Sequence, residues 1–213
     1  MIAIVDYGVG NLFSLLSSLR ALDLEAEVTG DAGRLRAADR IILPGVGAFA
    51  DAMRKLEETG LVAVLKQQVQ KKPLLGICLG MQMLFDESEE FGLHKGLGLI
   101  PGRVVRIPST DVQGRPQKVP HISWDPLNPA GGRTDFAGTV LAGVTPGEEC
   151  YFIHSYEAKP ADEADRLADT VYGGRAVCAA AAHGSVVGCQ FHPEKSGKVG
   201  LKIIEEYMKR AEK

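Results

Sequence analysis

Short apolar runs alternate with helical periods along the first third of the chain, and this alternation limits the possible folds more than any other feature. Three of the apolar runs predict buried strands: residues 2–6, Arg40–Leu43 and Leu74–Ile77. Leucines recur at helical spacing from Leu12 to Leu22, with Asn11 as the expected N-cap, and residues 48–70 predict one or two helices. Strands that alternate with helices predict a parallel sheet covered on both faces.

The second half of the chain changes from helices to strands. Five segments predict strands: residues 98–107, 150–156, 167–172, 176–182 and 186–191. Residues 108–143 are rich in Pro and Gly and predict long surface loops, and residues 197–210 predict a final amphipathic helix. We therefore expect one α/β domain with a mostly parallel central sheet flanked by helices and an added antiparallel section.

Composition excludes several classes of partner. The chain has 213 residues, of which 45% are apolar and 24% charged, with a net charge of −3. Such a charge gives no electrostatic reason to bind nucleic acid or an anionic membrane. No apolar run approaches the ~18 residues that a membrane-spanning helix needs. The chain begins directly on a strand-like segment without a signal or transit pattern, so we expect a cytoplasmic location.

The four cysteines form no C-x-x-C pair, which argues against a zinc ribbon or a dithiol redox motif. Cys150, Cys178 and Cys189 lie in or beside apolar runs and are expected to be buried structural thiols. Cys78 differs because Gly76 and Gly80 stand two residues away on either side.

The segment around Cys78 predicts an activated nucleophile. Cys78 follows the third strand, where a tight turn into a helix exposes the thiol and the helix N-terminus favours the thiolate. Gly76 and Gly80 are typical of such an elbow, because crowding there leaves no room for side chains. A packed, inert thiol is the alternative. The Leu79 N–H is one candidate donor to an oxyanion, and the turn at residues 44–47 (PGVG) offers a second.

His192 and Glu194 supply the other half of a catalytic pair. They flank Pro193 directly after the apolar run at residues 186–191, so both lie at the end of a strand. A histidine with a carboxylate two residues later can take a proton while the carboxylate orients its ring. A surface turn is the alternative for an isolated His-Pro-Glu. In an α/β sheet the carboxyl ends of the strands lie at one edge, so we expect His192 near Cys78.

These motifs resemble those of known enzymes. Residues 76–82 (GICLGMQ) with residues 191–194 (FHPE) are similar to the signature of triad, class I glutamine amidotransferases. Four further segments resemble the family of glutaminase subunits of imidazole glycerol phosphate synthase: residues 6–11 (DYGVGN), 44–49 (PGVGAF), 151–156 (YFIHSY) and 195–196 (KS). The resemblance covers nearly the whole chain and implies a single glutamine amidotransferase type 1 domain over residues 1–213.

The resemblance also implies roles for individual residues. Cys78 would attack the glutamine side-chain amide, and His192, oriented by Glu194, would move the proton. The N–H groups of Val46 and Leu79 would bind the oxyanion. Five residues would bind the substrate: Gly47, Gln82, Glu90, Ser155 and Tyr156. Three would lie near a partner: Asn11, Trp124 and Lys195.

The partner that the resemblance implies is a cyclase subunit with a (β/α)₈ barrel, joined to this chain as a heterodimer. The ammonia released from glutamine would pass to the cyclase, which forms imidazole glycerol phosphate and AICAR in histidine biosynthesis. The resemblance implies no metal and no organic cofactor. Two alternatives remain open: a triad glutaminase of the aminodeoxychorismate or pyridoxal phosphate pathway, and a catalytically silent binding module.

One segment departs from the family pattern. Residues 120–125 (PHISWD) stand where the family usually has Pro-His-x-Gly-Trp-Asn, so Ser123 replaces a glycine and Asp125 replaces an amide with a carboxyl group. We expect these changes to affect the partner interface more than the triad. Four histidines are too scattered in sequence to predict metal ligands: His94, His121, His154 and His183.

Overall fold

The structure is a computed structural model that describes residues 1–209. Its strands, in chain order, are β1 (Ile2–Val5), β2 (Ala26–Thr29), β3 (Arg40–Leu43), β4 (Leu74–Ile77), β5 (Phe85–Ser88), β6 (His94–Lys95), β7 (Ile100–Arg106), β8 (His121–Pro126), β9 (Asn128–Pro129), β10 (Glu149–His154), β11 (Tyr156–Pro160), β12 (Arg166–Tyr172), β13 (Arg175–His183) and β14 (Val186–Cys189). Its α-helices are α1 (Leu12–Ala21), α2 (Ala32–Ala37), α3 (Phe49–Glu58), α4 (Leu61–Gln68), α5 (Leu79–Met83) and α6 (Gly197–Lys209).

The central sheet has eight strands in the order β2-β1-β3-β4-β14-β13-β12-β9. Strands β2, β1, β3, β4 and β14 are parallel. Strands β13, β12 and β9 continue the sheet in antiparallel pairing. The predicted α/β fold, with a mostly parallel sheet and an added antiparallel section, is confirmed.

Helices cover both faces of the central sheet, and alternate residues of each strand point to opposite faces. Ala3 and Val5 of β1 belong to the apolar cluster that includes residues of α3 and α4. Ile2 and Ile4 belong to the cluster on the other face, which includes residues of α1 and α6. Burial on both faces explains why the parallel strands are apolar without a polar alternation.

Two smaller sheets lie beside the central one. Strands β8 and β10 form an antiparallel pair, and β11, β7, β5 and β6 form a four-stranded sheet. The single strand predicted over residues 150–156 is wrong, because the chain bends at Ser155 between β10 and β11. Strand β10 pairs with β8 and β11 pairs with β7, so the chain changes sheets at Ser155.

The long surface loop predicted over residues 108–143 is also wrong in part. Strands β8 and β9 lie within it, and three of its side chains are buried in the cluster beneath α1 and α6: Phe136, Val140 and Leu141. These apolar residues show no helical or strand period, so only tertiary packing reveals that they belong to the core.

The other predicted elements are confirmed with their ends shifted by a few residues, except for the helix after Cys78. Residues 81–85 predict the start of that helix, whereas α5 runs from Leu79 to Met83 and Phe85 begins β5. The backbone of Phe85 is held by Gly98, whose N–H donates to its carbonyl at 3.1 Å. Strand pairing with β7 thus replaces a further helical turn.

Asn11 occupies the N-cap position of α1, as predicted, but its side chain makes no capping hydrogen bond. Helix α6 is described from Gly197 to Lys209, and Arg210, the last residue of the predicted helix, lies outside the described residues.

Glycines allow the backbone to pack closely around the turn after β4. A Cβ atom added to Gly80 would lie 1.9 Å from the Leu43 carbonyl oxygen, and one added to Gly76 would lie 2.7 Å from the Gly80 carbonyl oxygen. Both neighbours are buried backbone atoms, one in β3 and one in α5, which cannot move away cheaply. The crowding expected at Gly76 and Gly80 is therefore present.

Replacement of Gly80 by alanine should destabilise the protein by at least about 3 kcal/mol, because the added methyl group overpacks a rigid backbone. Urea unfolding of the purified variants measures this change. Gly143→Ala is the matched control, since its added Cβ would lie at ordinary contact distance from two surface side chains, 3.4 Å from Lys202 and 3.6 Å from Glu206. We expect that control to change the free energy of unfolding by less than about 0.5 kcal/mol. A Gly80→Ala variant as stable as the control would refute the crowding argument.

Candidate active site

Cys78 lies where β4 ends and α5 begins. Its backbone has φ +54° and ψ −112°, a conformation that residues with a side chain rarely adopt. Its N–H donates to the carbonyl oxygen of Cys189 at the end of β14, at 2.8 Å. Backbone strain at a non-glycine residue is typical of functional sites, where the surrounding structure holds it in place.

The thiol of Cys78 is less accessible than the sequence suggests. We predict an exposed thiol, whereas Cys78 is only 7% exposed and lies at the floor of a cavity. The Ile153 carbonyl oxygen lies 3.7 Å from its Sγ, and the Gln190 side-chain amide nitrogen lies 3.9 Å from it. The reason is that β10 and β14 both pass close to the turn.

His192 and Glu194 lie at the end of the neighbouring strand, as expected. The Nδ1 atom of His192 lies 2.8 Å from Oε1 of Glu194, and both side chains are buried. The backbone of His192 is fixed as well, because its N–H donates to Tyr151 and its carbonyl accepts from the Ser196 hydroxyl at 2.7 Å. Glu194 therefore holds the ring with its other nitrogen, Nε2, available to Cys78.

The environment of His192 favours its protonated form. Burial opposes the charge, but hydrogen bonds to Cys78 and Glu194 outweigh burial and raise the pKa of His192 to about 9. An imidazolium next to a thiol stabilises the thiolate. The pair can thus hold a nucleophile and a proton donor in contact.

A cavity of about 340 Å³ opens over Cys78. This volume is typical of sites for small molecules, which run from ~300 to ~1,000 Å³. The lining brings together every predicted catalytic, oxyanion and substrate residue except Glu194, which lies behind His192: Val46, Gly47, Cys78, Leu79, Gln82, Glu90, Ser155, Tyr156 and His192. Lys195, predicted at the partner interface, also lines it, with Pro120, Ile153 and His154.

Hydrogen bonds determine the orientation of the Gln82 side chain. Its Nε2 donates to the Tyr156 carbonyl oxygen at 2.9 Å and to Oε1 of Gln190 at 3.0 Å. A carbonyl oxygen only accepts, so the amide nitrogen of Gln82 must face Tyr156. Both amide hydrogens are then used, and Oε1 of Gln82 is the atom that can accept from a ligand.

The turn with the second candidate oxyanion donor packs against the first. A Cβ atom on Gly45 would lie 2.7 Å from the Gly80 backbone nitrogen, so this turn lies directly against the start of α5. The buried Tyr7 hydroxyl donates to the Pro44 carbonyl at 2.8 Å and anchors the turn at its first residue. The backbones of Val46 and Leu79 therefore lie next to one another at the cavity.

Glu90 has a structural contact that the sequence does not predict. Its Oε2 accepts a hydrogen bond from the Phe49 N–H at 2.6 Å. Phe49 is the first residue of α3, so the carboxylate satisfies an otherwise unpaired donor and interacts favourably with the helix dipole. The same carboxylate lines the cavity, where it can also attract a cation.

The residues predicted near a partner surround the triad. Trp124 is half exposed, and its ring centre lies 5.9 Å from that of Tyr151. The Lys195 Nζ atom lies 5.9 Å from the centre of the same Tyr151 ring. Asn11 borders a small cleft with Pro44, Val46 and His192. The exposed apolar side chains of Trp124, Ile122 and Ile153 extend this surface.

Sequence reasoning missed three buried polar residues at the site. Gln190 is fully buried and bridges Gln82 to Cys78. His121 and His154, although distant in sequence, contact each other at 3.0 Å. A polar residue inside the apolar run at 186–191 is a usable signal for Gln190, whereas the two histidines meet only because β8 pairs with β10.

Cys150, Cys178 and Cys189 are buried free thiols, and burial raises the pKa of Cys150 to about 12. Among residues 1–209, no helix is long and apolar enough to cross a membrane. The same residues contain no group of three or more potential His, Cys, Asp or Glu ligands for a metal ion.

Comparisons with known proteins show the family of the chain. Residues 3–210 match the family described as glutamine amidotransferase class-I. The chain is 49% identical to imidazole glycerol phosphate synthase subunit HisH of Geobacillus kaustophilus, over 98% of this chain and 96% of the relative. It is 44% identical to subunit HisH 1 of Legionella pneumophila (strain Lens), over 97% of this chain and 98% of the relative.

Solved structures support the fold alone. A glutamine amidotransferase crystal structure superposes with a TM-score of 0.72 at 20% identity, covering 98% of this chain and 100% of that one. PurLQS from Thermotoga maritima gives a TM-score of 0.70 at 19% identity, covering 97% and 96%. From its family match and its near-full-length relatives, the chain belongs to the class-I glutamine amidotransferase family and, within it, to the HisH subunits of imidazole glycerol phosphate synthase.

Proposed function

We propose that this chain hydrolyses glutamine to glutamate and ammonia and delivers the ammonia to the cyclase subunit of imidazole glycerol phosphate synthase. The observation that carries the proposal is the contact of Cys78 with His192, oriented by Glu194, at the floor of the cavity. The near-full-length similarity to HisH subunits supports the pathway, histidine biosynthesis.

The first half of the reaction forms a thioester. In the resting pair Nε2 of His192 already holds the thiol proton, and the Sγ thiolate of Cys78 attacks the side-chain carbonyl carbon of glutamine. The tetrahedral oxyanion is stabilised by the N–H groups of Val46 and Leu79, which lie on adjacent backbone segments. His192 then gives its proton to the amide nitrogen, the C–N bond breaks, and ammonia leaves a γ-glutamyl thioester on Cys78.

The second half releases glutamate. His192 takes a proton from water, whose oxygen attacks the thioester carbon, and the C–S bond breaks to leave the Cys78 thiolate beside the protonated ring. The carboxylate of Glu194 stabilises the imidazolium in both halves. No step uses a metal or an organic cofactor.

Substrate binding is assigned to the residues around the nucleophile. The free Oε1 of Gln82 accepts from the substrate, and the backbones of Gly47, Ser155 and Tyr156 form the walls at its amino-acid end. Glu90 is placed to attract the α-ammonium group. A neutral amide reaching Cys78 and a cation near Glu90 match the two ends of glutamine.

Three further assignments belong to this proposal. The chain acts as one domain over residues 1–213, and it binds a (β/α)₈-barrel cyclase through the face that carries Asn11, Trp124 and Lys195. The exposed apolar residues on that face support a protein partner. The four free thiols support a reducing, cytoplasmic location.

Cys78→Ala should abolish glutamate release from the complex with the cyclase subunit, lowering kcat/KM by at least about 10³-fold because the nucleophile is lost. A coupled glutamate dehydrogenase assay measures this loss. Cys150→Ala removes a buried thiol outside the cavity and should keep the activity. An equally active Cys78→Ala complex would refute the mechanism, and an inactive wild-type complex would favour a silent binding module.

Glu90→Gln should raise the KM for glutamine about tenfold and change stability little, because the amide keeps an acceptor for the Phe49 N–H but loses the charge. Glu90→Ala loses both and should also lower the free energy of unfolding by about 1 kcal/mol. Steady-state kinetics and urea unfolding separate the two effects. An unchanged KM in Glu90→Gln would remove Glu90 from substrate binding.

The raised pKa of His192 predicts a pH-dependent stability. The pKa rises from 6.5 to about 9 on folding, so the stabilisation is complete below about pH 6.5 and is lost as the pH rises through about 9. The loss is on the order of 3 kcal/mol, since one pKa unit corresponds to about 1.4 kcal/mol. Urea unfolding across this range should show the decrease in the wild type and not in His192→Gln. Parallel curves for the two proteins would contradict the assignment.

A further inference from the structure

Polar side chains form a continuous hydrogen-bond network from the surface strand β8 to the wall of the cavity. Oδ2 of Asp125 lies 2.5 Å from Nε2 of His121, and Nδ1 of His121 lies 3.0 Å from Nε2 of His154. Nδ1 of His154 lies 2.8 Å from the Tyr156 carbonyl oxygen. The side chain of Asp125 is 22% exposed and that of His121 is fully buried, so the hydrogen-bond network runs inward from solvent.

The same hydrogen-bond network continues to the nucleophile, Cys78. The Tyr156 carbonyl oxygen accepts from His154 and from Nε2 of Gln82, which uses both of its acceptor positions. Gln82 in turn donates to Gln190, whose Nε2 lies 3.9 Å from Sγ of Cys78. The Tyr156 carbonyl is thus the junction between the histidine pair and the residues that contact Cys78.

The Tyr156 carbonyl oxygen determines which ring nitrogens carry protons along this hydrogen-bond network. Because the Tyr156 carbonyl only accepts, His154 must carry its proton on Nδ1, and its bare Nε2 must accept from Nδ1–H of His121. The Nε2 atom of a neutral His121 then has only a lone pair to offer to Asp125. The short contact between them requires one additional proton. Burial lowers the pKa of His121 and opposes a charge on the ring alone, whereas the hydrogen bond to Asp125 raises that pKa, so the pair holds the proton as a unit.

Ser123 does not remove this requirement. Its hydroxyl contacts both Nε2 of His121, at 2.9 Å, and Oδ2 of Asp125. One hydroxyl proton can serve only one of these two contacts, so the direct contact between His121 and Asp125 still lacks a proton. Ser123 and Asp125 are the two residues that depart from the family pattern, and both lie at the solvent end of this hydrogen-bond network.

Packing holds the two rings in this geometry. The His121 ring lies between Tyr172, whose centre is 4.0 Å away, and Phe152, whose centre is 5.3 Å away, with both pairs stacked. Burial also lowers the pKa of His154 to about 3, which keeps that ring neutral, and its contact with the Tyr156 carbonyl selects one tautomer. A buried hydrogen-bond network in which every polar group is paired is rigid. Removal of one member leaves an unpaired buried polar group, which is costly in free energy.

We propose that Asp125, His121 and His154 are positioning residues for the glutaminase reaction, with one proton shared between Asp125 and His121. Together they fix the position of the Tyr156 carbonyl. Through that carbonyl they hold the Gln82–Gln190 pair beside Cys78. This inference rests on the proposed function for its kinetic consequences. The proton positions do not depend on that function and can be tested separately.

Nitrogen-15 NMR of the full chain with labelled histidines tests the proton positions. We expect His154 to be protonated at Nδ1 and bare at Nε2, and His121 to be protonated at Nδ1. A strongly downfield proton resonance from the His121–Asp125 contact should be present in the wild type and absent in Asp125→Asn, where an amide N–H donates to Nε2 instead. A His154 ring protonated at Nε2 would overturn the proposal.

Kinetics of the complex with the cyclase subunit test the positioning role. His154→Phe keeps a ring in contact with Phe152 but loses the donor to Tyr156, so KM for glutamine should rise about tenfold while kcat changes less than about threefold. Asp125→Leu should raise KM in the same direction. Asp125→Asn is the conservative variant that can still donate to His121, and its KM should stay within about twofold of the wild-type value.

A matched histidine control separates positioning from general damage. His183 is paired with Asp165 outside the cavity, and His183→Phe should leave KM unchanged. A wild-type KM in both His154→Phe and Asp125→Leu would overturn the proposal while the glutaminase assignment stands. An inactive wild-type complex would instead refute the proposed function, and the NMR result would still decide the proton positions. That measurement on the wild type also decides the question if a variant does not fold.

Discussion

The parallel pairing of β4 with β14 is the contact on which the rest of the site depends. It matches Ile77 with Cys189 and extends one residue further, where the Cys78 N–H donates to the Cys189 carbonyl. Cys78 and His192 each follow the end of one of these strands, so the pairing brings together two residues that are far apart in sequence. The antiparallel addition of β13 and β12 then places β14 inside the sheet, where it is buried.

Close backbone contacts give this pairing its precision. Glycines at positions 45, 76 and 80 let the oxyanion turn, the end of β4 and the start of α5 approach each other without intervening side chains. The strained backbone of Cys78 persists because these segments and the bond to Cys189 hold it from several sides. The nucleophile, the oxyanion turn and the base therefore form one rigid unit rather than three independent loops.

The site contains two buried imidazole systems with opposite electrostatics. His192 lies against the Glu194 carboxylate and the Cys78 thiol, and these partners favour its charged form. The hydrogen-bond partners of His154 are another imidazole and a backbone carbonyl, and burial keeps the ring neutral. The environment of His192 suits proton transfer. The environment of His154 suits a fixed hydrogen-bond donor, because a neutral ring with one defined tautomer keeps its contacts as protons move nearby.

The sequence by itself determined the parallel strands β1, β3 and β4, the glycine-flanked Cys78 and the His192–Glu194 pair, because each is encoded within a few neighbouring residues. It predicted no strand at β2 and did not show that β14 joins the parallel part. Local period and turn chemistry are enough to predict such features. The family resemblance added the pocket residues, and the structure brings these residues together around one cavity. Only the tertiary structure decided that the chain bends at Ser155 between two sheets, that Gln190 bridges Gln82 to Cys78, and that His121 meets His154. These contacts join distant segments through strand pairing and burial, and no local pattern in the sequence specifies which distant partner a buried polar side chain will find.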